Sequence, residues 1–155
     1  MSTKLLHILL VDDDDCGPFG IAVKMTSLNI LLRTVADAEQ AIDYMEGRGV
    51  YARLVHPVPD VVVLDFDMRL AGGLEFLRWR KASALFPSLP VVLLSAFAYE
   101  GAIKTISAMG ANTFIRKPVK SEDWEAVVRQ VWDLGMERSE VMEPAVALEW
   151  NGVNR

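Results

Sequence analysis

Polar residues that could bind and transfer a phosphoryl group follow four apolar segments of this sequence. In chain order they are Asp12 and Asp13, Asp65, Ser95, and Lys117. Converging aspartates repel one another, so their crowding requires a cation or protons to neutralise it. Ligation by oxygen atoms and water is typical of Mg²⁺ rather than zinc. A carboxylate nucleophile beside a metal, with an ammonium and a hydroxyl directed at the same point, indicates phosphoryl transfer to an aspartate.

Each of these residues also has a purely structural interpretation. The aspartates could cap the first helix, Ser95 could cap the fourth helix, and Lys117 could carry its ammonium from a strand end to solvent. Taken singly, each structural interpretation is favoured. Taken together, the groups at four strand ends favour chemistry, because helix caps do not require these residue types in this order.

The elements that must position these groups are alternating strands and helices. Continuous apolar runs predict strands buried on both faces of a parallel sheet, at Leu5–Val11, Ile30–Val35, Val61–Leu64, Val91–Leu94 and Thr113–Ile115. Helical spacing predicts a helix after each of them, at about Pro18–Leu28, Ala38–Glu46, Gly73–Leu85, Ala98–Met109 and Glu122–Leu134. Pro18, Asp37 and Ser121 are expected start residues, and glycines are expected to follow three helices, at Gly47, Gly110 and Gly135.

This alternation predicts an α/β fold with a doubly wound, five-stranded parallel sheet, the flavodoxin-like (βα)5 arrangement with strand order 2-1-3-4-5. In that order strands 1, 3, 4 and 5 are neighbours, so the polar residues at their carboxyl ends converge at one crevice. The chain has 155 residues, which suffice for one ordinary domain. We expect that domain over residues 1–136 and a tail over 137–155, whose apolar Val146, Leu148 and Trp150 favour docking on a partner or a dimer mate.

The charge balance and the apolar segments limit the partners. Lys and Arg number 16 against 21 Asp and Glu, and no basic run occurs, so we do not expect nucleic-acid binding. No apolar stretch approaches the ~20 residues that a membrane span needs, and the first residues lack a signal-peptide pattern. The single cysteine, Cys16, is typical of a reducing compartment. We therefore expect a cytoplasmic protein with no membrane partner.

Four motifs resemble those of the receiver domain of bacterial two-component response regulators, over about Leu5 to Leu134. They are Ile8–Asp13 for the acidic pair, Val62–Asp65 for the phosphoacceptor strand, Leu93–Ala96 for the hydroxyl switch, and Lys117–Pro118 for the lysine motif. The resemblance implies a receiver of a two-component phosphorelay, which accepts a phosphoryl group on Asp65 from a histidine kinase. It also implies Mg²⁺ as the cofactor and output by contact with a downstream protein target.

The resemblance assigns the metal to four positions. Asp13 and Asp65 would bind Mg²⁺ directly, and Asp12 would assist through a water molecule. Asp67 would contribute its backbone carbonyl.

The resemblance also assigns the phosphoryl oxygens to Ser95 and Lys117. Phe114 matches the aromatic switch position, although it lacks the hydroxyl of the more usual Tyr, so any switch would work through ring packing. The Lys117–Pro118 peptide bond is cis in the family, which turns the lysine into the site.

The segment that follows Asp65 departs from the family pattern at two positions. Asp67 stands where Asn or an apolar residue is more common, and Arg69 replaces the usual Pro. The extra carboxylate adds negative charge beside the expected phosphoryl group and its attacking water. We hypothesise that Asp67 and Arg69 tune the lifetime of the aspartyl phosphate.

A narrower set of motifs resembles the stand-alone regulators that are paired with bacterial phytochrome kinases. These motifs are Tyr44–Gly47, Gly49–Tyr51 and Pro59–Asp60. They imply a phytochrome-type histidine kinase as partner and a homodimer through the face of helix 4, strand 5 and helix 5. The Trp132 region and the apolar tail suit such a dimer.

Other functions stay open beside the receiver. Asp65 and Asp67 also resemble the D-x-D motif of haloacid-dehalogenase-type phosphatases, in which the first aspartate is the nucleophile and the second is an acid and base. Arg69 and the position of the motif in mid-chain argue against that family. A pseudo-receiver that binds a partner without phosphorylation also stays open. An FMN-binding flavodoxin is less favoured, because the aspartates after strand 1 would repel a phosphate.

Overall fold

Five parallel strands form a single sheet in this computed structural model. They are β1 (Leu6–Val11), β2 (Ile30–Val35), β3 (Val61–Asp65), β4 (Val91–Ser95) and β5 (Thr113–Arg116). Their order across the sheet is β2-β1-β3-β4-β5. The structure describes residues 4–14, 17–52, 58–67, 72–83, 86, 88–96, 104 and 107–137. The predicted fold class and strand order are confirmed.

Helices follow the strands in alternation. The first three are α1 (Pro18–Met25), α2 (Ala38–Glu46) and α3 (Gly72–Ala82). Helical residues 104 and 107–108 belong to α4, and α5 covers residues 124–137. Short 3-10 turns occur at Gly49–Tyr51 and Ser121–Asp123.

Some predicted features lie outside the described residues. These are Asp15, Cys16, Arg69, most of the predicted helix 98–109 and the tail 138–155. Within the residues that are described, no helix is both long enough and apolar enough to cross a membrane.

Alternate strand residues point to opposite faces of the sheet and build two cores. The core under α2 and α3 includes Leu9, Leu64, Leu93, Ala41, Tyr44, Phe76 and Leu77. The core under α1 and α5 includes Ile8, Val63, Val92, Phe19, Val23, Trp124 and Val128. The central strands β1, β3 and β4 are buried throughout, whereas the edge strands β2 and β5 are partly exposed. This burial explains why the central strands have continuous apolar runs.

Backbone hydrogen bonds hold the residues that follow the strands at one edge of the sheet. The Phe66 N–H donates to the Leu94 carbonyl at 2.8 Å, and the Lys117 N–H donates to the Ser95 carbonyl at 2.9 Å. These bonds continue the ladder beyond the last strand residues. The carboxyl ends of β3, β4 and β5 therefore lie side by side.

Helix α2 has the bounds and caps that the sequence predicts. The Asp37 carboxylate accepts a hydrogen bond from the Gln40 N–H at 2.8 Å, as an N-cap does. At the other end Gly47 has a φ of 68°, the left-handed conformation that glycine adopts without strain. Both ends of α2 are therefore determined by local side-chain and backbone chemistry.

Helices α1 and α3 end earlier than helical spacing predicts. The expected ends are Leu28 and Leu85, whereas the structure ends these helices at Met25 and Ala82. In α1 the reason is Thr26, which has extended backbone angles and a hydroxyl that donates at 2.9 Å to the carbonyl three residues earlier. A side-chain hydrogen bond thus closes the last turn before the apolar pattern ends.

Helix α5 also differs from its prediction at both ends. Ser121 is the first residue of a 3-10 turn whose N-cap position is Lys120, so Ser121 itself is not the cap. Gly135 lies inside the helix, which continues to residue 137. A Cβ at this glycine would lie 3.0 Å from Cδ1 of Leu6 and 3.1 Å from Cγ1 of Val61. Gly135 therefore allows α5 to approach the sheet closely and does not end the helix.

Candidate functional site

Three aspartates meet at the carboxyl edge of the sheet. Carboxylate oxygens of Asp12, Asp13 and Asp65 lie within 4.8 Å of one another. The Asp12 Oδ1 accepts a hydrogen bond from the Asp14 N–H at 2.9 Å. A Cβ at Gly17 would lie only 3.2 Å from the Asp12 Oδ2, so the glycine leaves space for this carboxylate. The donor set consists of oxygen atoms, which fits a hard cation such as Mg²⁺.

Burial and charge crowding change the acidity of Asp12. Burial and the negative charge of Asp65 raise the pKa of Asp12 to about 6, against the lowering effect of the Asp14 N–H. A like charge and a poorly solvated position both disfavour an ionised carboxylate. A divalent cation bound among the three aspartates would favour the ionised form. The electrostatics of the cluster are therefore those of a site that a cation would stabilise.

Lys117 joins the ends of β3 and β5. Its Nζ lies 2.8 Å from the Asp65 Oδ1 and 3.1 Å from the Asp67 Oδ2. Burial lowers the pKa of Lys117, but the hydrogen bonds and charges of these two aspartates raise it further, so the net change is upward. Asp65 is only 6% exposed. The Lys117 ammonium thus neutralises a carboxylate that water solvates poorly.

No peptide bond among the described residues is cis, and the Lys117–Pro118 bond is therefore trans. The expectation of a cis bond is therefore wrong for this structure. The lysine reaches the site without it, since the Lys117 N–H bonds to the Ser95 carbonyl and aligns the end of β5 with the end of β4.

The side chain of Asp67 is the unexpected member of the site. Its Oδ1 accepts a hydrogen bond from the Ser95 hydroxyl at 2.6 Å, and its Oδ2 accepts one from the Ala96 N–H at 2.8 Å. Burial alone would raise the pKa of Asp67, but the bonds from Ser95 and Ala96 and the nearby Lys117 ammonium bring it below its ordinary value. Asp67 therefore stays ionised and holds three donors at once.

A local turn places Asp67 where it can reach these donors. The Asp67 N–H donates to the Asp65 Oδ1 at 2.9 Å, which is the hydrogen bond of an Asx turn. The sequence prediction considered the Asp67 backbone carbonyl and its added charge, and it missed these side-chain bonds and the Ala96 N–H. The spacing of two aspartates after a strand is the signal that could have indicated the turn.

Phe114 and His7 lie in strands and contact core side chains. Phe114 is partly buried in β5, opposite Leu93, and packs against the core under α2 and α3. His7 is buried in β1, and its Nε2 lies 3.0 Å from the hydroxyl of Tyr44. A buried histidine that contacts a tyrosine hydroxyl in this way has a structural role. His56 lies outside the described residues.

The comparisons with known proteins agree with the fold and with this arrangement of polar side chains. A family model for the response regulator receiver domain matches residues 8–129. The chain belongs to the response regulator receiver family. The four motifs that suggested this family all lie within or at the border of the matched segment, so the predicted resemblance is confirmed.

Curated relatives of the receiver include larger proteins. A protein-glutamate methylesterase/protein-glutamine glutaminase of Treponema denticola is 34% identical over 119 residues, which are 76% of this chain and 30% of that protein. A response regulator of Synechocystis is 30% identical over 127 residues, which are 81% of this chain and 51% of that protein. The receiver thus spans less than a third of the first relative and about half of the second.

Solved structures similar to the receiver include regulators of light signalling. A response regulator in red light signaling of R. palustris aligns with a TM-score of 0.76 and 27% identity, over 82% of this chain and 91% of that chain. A bacteriophytochrome response regulator aligns with a TM-score of 0.67 and 28% identity, over 83% of this chain and 93% of that chain. The narrower resemblance to phytochrome response regulators is therefore confirmed. The family match favours a receiver over the phosphatase and flavodoxin alternatives.

Proposed function

We propose that this receiver accepts a phosphoryl group on Asp65 from a histidine kinase, in a reaction that depends on Mg²⁺, and signals by protein contact. The observation that carries the proposal is the position of Asp65. This buried carboxylate lies within 4.8 Å of the oxygens of Asp12 and Asp13 on one side, and 2.8 Å from the Lys117 ammonium on the other. A nucleophilic carboxylate, a cation site and a fixed positive charge are what phosphoryl transfer requires.

The proposed step forms a bond between an Asp65 oxygen and phosphorus while the bond from phosphorus to the kinase imidazole nitrogen breaks. Asp13 and Asp65 would hold Mg²⁺, with Asp12 assisting and the Asp67 carbonyl completing the protein ligands. Bound Mg²⁺ would neutralise charge on the transferred group. Lys117 would interact with a phosphoryl oxygen through the charge that it already presents to Asp65, and Ser95 would donate a hydrogen bond.

Partners follow from the same proposal. The two neighbours at 27% and 28% identity are described as regulators in red light signaling and of a bacteriophytochrome, which supports a phytochrome-type histidine kinase as the phosphoryl donor. The single cysteine supports the cytoplasm as the compartment of this exchange. A downstream protein would read the phosphorylated state by contact.

A homodimer through the face of α4, β5 and α5 is also part of the proposal. The edge strand β5 and helix α5 border a depression of about 260 Å³, which includes Thr113, Ile115 and Leu134 in its lining. Among the described strands, β5 has a partner on one side only. Such an edge beside apolar side chains is a surface that a second copy can cover. Sedimentation of the full chain, tail included, should give a dimer at micromolar concentration, and a monomer throughout the range would contradict the dimer.

Phosphorylation is tested with a small donor in place of the kinase. The chain is incubated with acetyl phosphate and Mg²⁺, and its intact mass is followed with time. We expect the mass of one added phosphoryl group in the wild type, and no addition in Asp65→Asn or when a chelator removes the metal. Addition that survives in Asp65→Asn would overturn the assignment of the acceptor.

The phosphatase alternative makes a different prediction for the same protein. An enzyme with Asp65 as nucleophile and Asp67 as acid and base would turn over p-nitrophenyl phosphate many times per chain. We expect no turnover above the rate of an Asp65→Asn control. Sustained turnover that depends on Asp67 would favour the hydrolase.

A further inference from the structure

Three hydrogen-bond donors converge on the carboxylate of Asp67. Ser95 at the end of β4 donates its hydroxyl at 2.6 Å, and Ala96 in the following loop donates its N–H at 2.8 Å. Lys117 after β5 contributes its ammonium at 3.1 Å. The three donors come from two neighbouring strand ends, and both carboxylate oxygens are occupied. The side chain of Asp67 therefore lies between the ends of β4 and β5.

These donors are the ones that a phosphoryl group on Asp65 would need. A hydroxyl, a backbone N–H and an ammonium, directed at one point, form a site for an oxyanion. The Ser95 hydroxyl and the Ala96 N–H each carry one hydrogen. Neither can fully donate to the Asp67 carboxylate and to a phosphoryl oxygen at the same time. The two anions must compete for them.

We propose that the Asp67 carboxylate is an internal occupant of the phosphoryl-oxygen site, which a phosphoryl group on Asp65 has to displace. The proposal rests on the function proposed above and goes beyond the lifetime of the aspartyl phosphate. It concerns the unphosphorylated state, in which Asp67 already holds Ser95, Ala96 and Lys117. These contacts must break before Asp65 can accept a phosphoryl group.

The backbone around Asp67 allows such a displacement. The Asp67 N–H is bonded to the Asp65 Oδ1 at 2.9 Å, so the main chain is tied to the phosphoacceptor. The side chain is 21% exposed and can rotate toward solvent about its own bonds. The backbone carbonyl can then remain in place for a metal while the carboxylate leaves. The contacts of Asp67 thus form a latch that opens by a rotamer change.

The first measurement examines the unphosphorylated protein. Amide NMR of the wild type is compared with Asp67→Asn and Asp67→Ala, without metal or phosphoryl donor. In the wild type we expect the Ala96 amide proton to resonate far downfield, because its N–H donates to a charged oxygen. This downfield shift should disappear in Asp67→Ala. Asp14→Asn is the control, since it removes one negative charge from an exposed side chain near the same edge.

The second measurement is the initial rate of phosphorylation by acetyl phosphate with saturating Mg²⁺. Asp67→Asn should react about tenfold faster than the wild type, which corresponds to an activation free energy lower by about 1.4 kcal/mol. Asp14→Asn should react within about twofold of the wild type, because one exposed charge has a small effect. The acceleration by Asp67→Asn should shrink in a Ser95→Ala background, where one of the competing donors is gone.

The outcomes separate this proposal from the proposed function. An Ala96 N–H that does not respond to Asp67→Ala overturns the latch, and so does an unchanged rate in Asp67→Asn when the wild type is phosphorylated. Equal acceleration in Asp14→Asn and Asp67→Asn also overturns it, because charge alone would then explain the rate. Phosphorylation of Asp67→Asn but not of the wild type supports it. If no variant with Asp65 intact is phosphorylated, the proposed function fails, and the Ala96 N–H still decides whether the contact exists.

Discussion

Two helical glycines, Gly135 and Gly20, should respond in opposite directions to the same substitution by alanine. Gly135 lies in α5, where a Cβ would be 3.0 Å from Cδ1 of Leu6 and 3.1 Å from Cγ1 of Val61. Gly20 lies in α1, where the nearest atom to a Cβ would be Cδ2 of Leu32 at 3.8 Å. Only the first position is too close to its neighbours, so the pair separates packing from helix preference.

The expected magnitudes follow from these distances. Carbon atoms prefer separations of about 3.5–4.0 Å, so Gly135→Ala brings its Cβ too close to side chains that are fully buried in β1 and β3. Overpacking of this kind costs about 1–3 kcal/mol, while alanine in a helix recovers up to about 1 kcal/mol over glycine. Gly135→Ala should therefore lower the unfolding free energy by about 1 kcal/mol, and Gly20→Ala should raise it by up to about 1 kcal/mol.

Urea denaturation of both variants, followed by circular dichroism, measures these changes. The slope of the unfolding free energy against urea should stay unchanged. The difference in unfolding free energy between the two variants isolates the cost of overpacking. In thermal unfolding, each kcal/mol of this free energy should shift the thermal midpoint by about 2–4 °C. If Gly135→Ala stabilises the protein as much as Gly20→Ala does, α5 does not approach the sheet as closely as described.

Three further predictions concern a cap, the metal and a buried cation. Asp37→Ala removes the N-cap of α2 and should lower the unfolding free energy by about 1 kcal/mol in urea; no loss would contradict the 2.8 Å capping bond. Millimolar Mg²⁺ should raise the thermal midpoint of the wild type in calorimetry by mass action, and a rise that persists in Asp13→Asn would place the ion elsewhere. Arg80→Met removes a guanidinium that is 9% exposed and donates to two backbone carbonyls, so stability should fall by about 2–3 kcal/mol, whereas a change below about 0.5 kcal/mol would contradict this role.

The fold was predictable because burial on both faces leaves a direct pattern in the sequence. The strand Ile30–Val35 has the predicted bounds, and the other predicted strands differ by one residue at one end. Helix ends were less predictable, because they depend on single hydrogen bonds such as that from the hydroxyl of Thr26. Gly135 was misinterpreted as a helix end because its role depends on contacts with strands that are distant in sequence.

The candidate site was predictable in its residue types and not in its contacts. Strand order alone brings together Asp12, Asp65 and Lys117. The contacts of the Asp67 side chain depend on the loop that follows β3, where no periodicity constrains the chain. The cis bond expected at Pro118 came from the family resemblance, and the register of β5 against β4 positions the lysine without it.

The central claim is that Asp65 is the phosphoacceptor, and the direct measurement is the location of the phosphoryl group after reaction with acetyl phosphate and Mg²⁺. Borohydride reduces an aspartyl phosphate to homoserine, which peptide mass spectrometry detects at a single residue. We predict conversion of Asp65 to homoserine in the wild type and no conversion in Asp65→Asn. Conversion at another residue such as Asp67 or Asp13, or none under conditions in which Mg²⁺ raises the thermal midpoint, would contradict the claim.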